Sequence, residues 1–248
     1  MKKTLCFVAF LVITFSGFAA PAKKSQKFEM NDGDRVAFIG GVFMEREQDE
    51  GHIEAMLTMA FPDRNVTFRN LGWGGDSVES HLAPLVPARP KYVPGLFQYV
   101  EQWKPTVILV SFGMMESFRG EDGLGDFIRQ YAALLDRLSA TTPRIVLISP
   151  HRHEALGGQW PDPAAHNRNL KKYTAAIEGL ARERGLVFVN LFERRKVVPE
   201  AIEPVTSNGV HLNSQGYRQA AAAIQKSLGL TPFMALPKLY LQRAEVLR

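Results

Sequence analysis

Five short blocks of this 248-residue chain hold the side chains best suited to chemistry: Gly40 to Val42, Asn70 to Ser77, Gly113 to Glu116, Pro150 to Glu154 and Asn208 to Tyr217. In the fourth, His151, His153 and Glu154 offer two imidazoles and a carboxylate, an N/N/O set of the kind that holds zinc. Adjacent loop residues point in divergent directions, so a polar rim touching a ligand is the favoured reading, and no metal site is assigned. Glu116 is either a carboxylate facing a cleft or the partner of Arg119 in a surface ion pair. Asp76 suits a turn in which its carboxylate accepts backbone amides. Trp73 can stack on a sugar ring or fill a helix–sheet contact, since an indole does both. His52, His81 and His166 have no partner suggested by spacing and read as surface residues.

Several familiar devices are missing. No G-x-x-x-x-G-K-[ST] run occurs, which excludes a phosphate-cradling P-loop. Gly72 to Asp76 lacks the third glycine of a dinucleotide fingerprint and places Trp73 where backbone must approach a cofactor. Neither H-E-x-x-H nor G-x-S-x-G is present. No cofactor is expected.

These blocks need elements to position them. Val36–Ile39, Val66–Arg69, Thr106–Ser111, Arg144–Ile148 and Leu186–Asn190 read as strands, the third being the strongest signal for a central one. Helical spacing marks His52–Ala60, Phe127–Leu138, Leu170–Arg184 and Ser214–Leu228, with Ser214 as the expected cap of the last. Strands alternating with helices predict a five-stranded parallel sheet covered on both faces, a flavodoxin-like three-layer α/β/α sandwich. In such sheets ligands bind beyond the carboxyl ends of the strands, where strand order reverses, and the five blocks sit there. A proline-rich stretch over 84–95 reads as a surface loop.

Lys2 and Lys3 precede an apolar run from Leu5 to Phe15, and small residues follow to Ala22. This is the layout of a signal peptide over 1–22, with cleavage expected after Ala22 and a secreted or periplasmic destination. The run is short for a bilayer, which asks for about 20 apolar residues, so no stable membrane span is expected after its removal. Cys6 is the one cysteine and lies inside that run, so the remainder has no thiol for a disulfide framework or a cysteine-held metal. Losing the two lysines changes the formal charge from +5 to +3, with 28 basic and 25 acidic residues remaining. Those basic residues are scattered, which gives no case for nucleic acid as a partner. The stretch 229–248 has an apolar patch around Phe233 and Leu241 without a place in the strand pattern; it either packs on the domain or begins a further segment.

Taken in order, the blocks at Gly40, Asn70 to Ser77, Gly113 to Glu116 and Asn208 to Tyr217 resemble those of the SGNH (GDSL) hydrolases, over roughly residues 32–228. The resemblance implies a Ser-His-Asp esterase on the flavodoxin-like sheet. His211 matches the general base and Gly75 an oxyanion-hole donor. Val42 falls on the nucleophile, Asn208 on the carboxylate that orients the base, and Met115 on an oxyanion-hole asparagine. Three of these five positions therefore lack the chemistry that acyl transfer needs, which is an activated hydroxyl, an oriented base and donors for developing charge. Ser77 stands in Gly75-Asp76-Ser77, close to the family's name motif, yet it lies in the second block and reads better as the cap of a following helix.

The resemblance thus implies an exported hydrolase-like domain whose ancestral reaction is hydrolysis of acyl esters of carbohydrate, lipid or small molecules. It is a divergent member without the nucleophilic serine. The alternative is a non-catalytic domain that keeps the cleft and binds a carbohydrate or small ligand. His211, Gly75 and Asn208 would serve catalysis, while Val42, Met115, Glu116, Trp73, Ser77, His151 and His153 would meet the ligand.

Overall fold

A computed structural model describes residues 27–82, 95–193 and 203–231. The expected signal peptide, nearly all of the proline-rich stretch and most of the C-terminal tail lie outside these residues. The elements run β1 (Arg35–Gly40), α1 (Val42–Glu50), α2 (His52–Ala60), β2 (Thr67–Asn70), α3 (Val78–Leu82), α4 (Leu96–Trp103), β3 (Val107–Ser111), a 3₁₀ turn (Glu116–Arg119), α5 (Leu124–Ser139), β4 (Ile145–Ile148), α6 (Ala164–Arg184), β5 (Val187–Val189) and α7 (Ser214–Ser227).

The strands pair in the order β2-β1-β3-β4-β5, and every pairing is parallel. This is the expected flavodoxin-like sandwich, with its reversal of strand order between β1 and β3. Each central strand is buried on both faces, which explains why its sequence is a continuous apolar run rather than an alternation. Val36, Phe38, Val107, Leu109, Val146 and Ile148 face α1, α2 and α7. Ala37, Ile39, Ile108, Val110, Ile145 and Leu147 face the opposite layer, built largely by α5 and α6. Burying such side chains contributes roughly 1.5–3 kcal/mol each, so the sheet is the rigid platform on which the strand-end blocks sit.

Helices α1, α3 and α4 lie where the sequence pattern signals none, and α6 begins six residues before its periodic stretch. The cap of α7 also differs from expectation. Asn213 is the N-cap, its side-chain oxygen accepting from Gly216 N at 3.0 Å, while Ser214 lies in the first turn with its hydroxyl 3.0 Å from His52 Nε2. His52 is consequently buried. The side chain of His81 is largely covered, its Nε2 3.2 Å from the Asp76 carboxylate. His166 packs its ring on Phe118 at 4.0 Å between centroids. All three histidines thus depart from the surface placement that spacing suggested.

Candidate active site

Beyond the carboxyl ends of β1 and β3, the chain approaches itself closely. Gly40 allows this: a Cβ there would fall 2.3 Å from the Ser111 carbonyl oxygen. Gly41 caps α1, and Val42 is the first residue of that helix. The helix starts without a side-chain cap, and a helix N-terminus is a setting that favours negative charge. Val42 itself offers no hydroxyl there.

The second block is fastened onto α1. Asn70 Nδ2 donates to the Met44 carbonyl at 2.6 Å, and Asn70 Oδ1 accepts from Gly72 N at 2.8 Å. Gly72 has to be glycine, because a Cβ would come within 2.4 Å of the Glu45 backbone nitrogen. Gly75 adopts φ +81°, a conformation that costs glycine little and other residues more. Ser77 and Ser80 cap α3 reciprocally: Ser77 N donates to Ser80 Oγ at 2.9 Å and Ser80 N to Ser77 Oγ at 3.3 Å. This pattern resembles a capping box and gives Ser77 the structural role expected of it.

Glu116 ties the second and third blocks together. Its buried carboxylate accepts from Gly113 N at 2.9 Å and from Val78 N, in the first turn of α3, at 2.8 Å. Burial pushes its pKa up, and these amide bonds oppose that shift. Arg119, the alternative partner, instead pairs with Glu79. Met115, which the family resemblance aligns with an oxyanion-hole asparagine, is 47% exposed. The resulting cleft is lined by Val42, Phe43, Asp76, Gly113, Met115 and Glu116, among others, and has a free volume of only about 20 Å³. That is room for about one water.

Sequence reasoning linked His211 with Asn208, and the structure brings them together in an instructive way. Asn208 Oδ1 accepts from the backbone of Val210 at 3.1 Å and of His211 at 2.8 Å. This fixes the amide orientation, leaving Asn208 Nδ2 3.3 Å from His211 Nδ1. An amide nitrogen can only donate, so Nδ1 accepts and the neutral ring carries its proton on Nε2. A general base needs the opposite tautomer, with Nε2 free to take a proton. Burial lowers the pKa of His211, Arg46 lowers it further, and Glu45 acts the other way.

The fourth block turns inward. His151 Nε2 lies 2.7 Å from the Val210 carbonyl, where it donates, and its ring packs near Phe43. His153 is buried against His166 and Phe118; burial, reinforced by His166 and His211, holds its pKa at about 4. Glu154 accepts from Val205 N, Thr206 N and Thr206 Oγ1, which anchors the segment leading to His211. His151 and Glu154 therefore brace the approach to the base. Trp73 is half-buried and lies away from this cleft, along a separate wide depression beside α1. Glu45 and Arg46, which the sequence blocks do not single out, stand between the two regions. Only their position three and four residues after Val42, one turn along a helix, could have revealed them.

The family model for the GDSL-like lipase/acylhydrolase family matches residues 38–219. Among solved structures, a catalytic mutant of an acetylxylan esterase from Geobacillus stearothermophilus is similar at 17% identity and a TM-score of 0.63, covering 82% of this chain and 98% of that one. An alpha/beta hydrolase from the metagenome of Lake Arreo, Spain, gives 18% identity and a TM-score of 0.63, with 81% and 97% covered. Comparison with curated proteins finds no match. Strand order, block positions and a family match that spans most of the chain agree: the chain belongs to the GDSL-like lipase/acylhydrolase family.

Proposed function

We propose that this domain keeps the ligand cleft of its family and binds a carbohydrate or other small ester without hydrolysing it through a serine. One observation carries the reading: the hydrogen bonds of Asn208 leave His211 with its proton on the nitrogen that would have to accept one. Val42 supplies no hydroxyl, and the cleft beside it is small, about 20 Å³. The orienting carboxylate alone is worth about 10⁴ in kcat where a Ser-His-Asp system has it. The family's chemistry, and the acetylxylan esterase among similar folds, support an acylated carbohydrate as the ligand class.

A second reading is hydrolysis by a water, with His211 as base, and its support is the dyad-like placement of Asn208 and His211. Purified protein incubated with p-nitrophenyl acetate and acetylated xylan decides between them. We expect no turnover above buffer and no labelling by a fluorophosphonate. Turnover that His211→Ala abolishes establishes the second reading instead. We infer further that the chain is exported after removal of residues 1–22; N-terminal sequencing of the protein from its host would find Ala22 gone.

A further inference from the structure

A stacked pair of imidazoles joins the fourth block to the start of α6. His166, in the first turn of that helix, is the shared ring. Phe118 packs on it with centroids 4.0 Å apart and planes 24° apart, and His153 packs on it at 4.7 Å and 25°. Phe118 is open to solvent, whereas His153 is only 5% exposed. We propose that the His153–His166 pair is an acid-sensitive latch: while both rings are neutral it holds the fourth block against α6, and protonation opens it and frees the segment 205–211 that carries His211. The proposal goes beyond the reading above and does not depend on whether the cleft binds or hydrolyses its ligand.

The pair fits only when uncharged. The Ser117 hydroxyl donates to the Met114 carbonyl at 2.6 Å and so accepts from His166 Nε2 at 3.2 Å, which places the proton of the neutral ring on that nitrogen. A positive charge on His166 would stand at the N-terminus of α6, where the helix dipole opposes it. His153 Nε2 is buried and meets no hydrogen-bond partner among the described residues, so an imidazolium there would bury an N–H without an acceptor. Two rings stacked at 4.7 Å also repel each other when both are charged.

The charged groups on the surrounding elements have other partners. Glu154 is engaged by Val205 and Thr206, Glu116 by Gly113 N and Val78 N, and Arg119 by Glu79. Arg152 lies over the Phe192 ring, and Arg168 reaches the Ala164 carbonyl. The other titratable rings nearby are imidazoles: His151, 6.4 Å from His153 and donating to Val210, and His211. Burial first, then His166 and His211, hold His153 at about 4, and burial lowers His166 as well.

His153 is tied on both sides. Its N–H donates to Asn167 Oδ1 and its carbonyl accepts from Asn167 Nδ2, each at 2.9 Å, which fastens the fourth block to α6. On the other side Glu154 N donates to the Gly209 carbonyl at 2.7 Å, beside the bond from His151 to Val210. The segment that carries His211 is thus anchored in the fourth block, and the fourth block in α6. The closed latch disfavours the proton, so it is fully held above pH 6.5 and loses its hold as pH falls toward 4.

Hydrogen–deuterium exchange on the full chain at pH 7.0 and 4.5, corrected for the intrinsic rate at each pH, tests this. The open population of 203–212 should rise about fiftyfold at pH 4.5, as for a group that titrates at about 4 when closed and 6.5 when open, while Val107–Ser111 in β3 stays protected. His153→Gln cannot be charged and should leave less than about a threefold rise. His166→Phe keeps a flat ring on Phe118 and His153 without its charge, and should cut the rise by about threefold or more. A merely structural role would raise exchange in these variants equally at the two pH values. Should His153→Gln fail to fold, His166→Phe decides. No rise in the wild type, a full rise in His153→Gln or an unchanged one in His166→Phe overturns the proposal, as does loss of protection in β3 together with 203–212.

Discussion

The groups at the proposed reacting positions and the groups that hold them in place differ in how firmly the fold needs them. On the reading proposed above, Val42, Met115 and Asn208 stand where the family resemblance puts the nucleophile, an oxyanion-hole donor and the orienting carboxylate. Behind them the hydrogen-bonded supports are intact: Asn70 fastens the second block to α1, Glu116 joins the second and third blocks, and Glu154 anchors the approach to His211. The physical reason lies in what each loss costs. Replacing a cleft-facing Ser or Asn leaves no buried amide unpaired. Removing Glu116 strands two of them, and buried donors without partners cost about 1–3 kcal/mol each. Under the proposed non-catalytic reading, the first kind of residue can be lost freely and the second hardly at all. On the proposed reading, what survives is a shaped cleft at a strand-order reversal, held by its supports.

The sharpest way to test this contrast is to restore the reacting groups on the surviving supports. Val42→Ser with Met115→Asn should give a protein that remains nearly inactive toward p-nitrophenyl acetate, because the His211 tautomer is still wrong. Adding Asn208→Asp should raise kcat by up to about 10⁴, the effect of that carboxylate in a Ser-His-Asp system. If the triple variant folds and stays as inactive as the double, the supports no longer hold catalytic geometry and the contrast fails. The opposite manipulation has the next largest effect. Glu116→Ala should destabilise the fold by about 2–4 kcal/mol, since Val78 N and Gly113 N lose their acceptor, whereas Val42→Ser should change stability by less than about 1 kcal/mol at its half-buried site. Urea midpoints for the two variants measure the difference directly.

The same division governs what could be read in the sequence. Strands β1, β3 and β4 are buried on both faces, so their apolar runs announce them, and the blocks at their ends follow. Helix α1 is silent because its buried residues are Phe43, Met44 and Glu47, which form no apolar stripe, and the rest of MEREQDE reads as solvated. With α1 unread, Glu45 and Arg46 could not be placed beside the cleft. The roles of Glu116, His81, His52 and Glu154 were equally hidden. Each is set by a partner 38 to 162 residues away in the chain, or by the pairing of Asp76 with His81 inside a fold-dependent turn. Local pattern reports which face of an element is apolar. It carries no information on which distant amide a buried carboxylate will meet.

Glu47 allows the finest test of this use of carboxylates, through a slope rather than a step. It is fully buried in α1, and its Oε1 accepts from Ile53 N at 2.5 Å and Glu54 N at 3.2 Å, in the first turn of α2. Burial raises its pKa from 4.5 to about 8, against the pull of those two amides. The sign follows from comparing the states. Between pH 4.5 and about 8 the unfolded chain has given up this proton while the folded protein still holds it, so folding becomes steadily less favourable as pH rises through that window. Above about 8 both states are ionised and the loss levels off. Below 6.5 the depressed His153 works the other way, costing stability as pH falls toward 4. Glu47→Gln keeps an acceptor for the two amides and cannot ionise. The difference in urea midpoint between this variant and the wild type should therefore grow in the variant's favour from pH 5 to pH 8, with the His153 contribution cancelling between the two proteins. A difference that stays flat over that range would mean that Glu47 is ionised in the fold at neutral pH, a charged support rather than a neutral one.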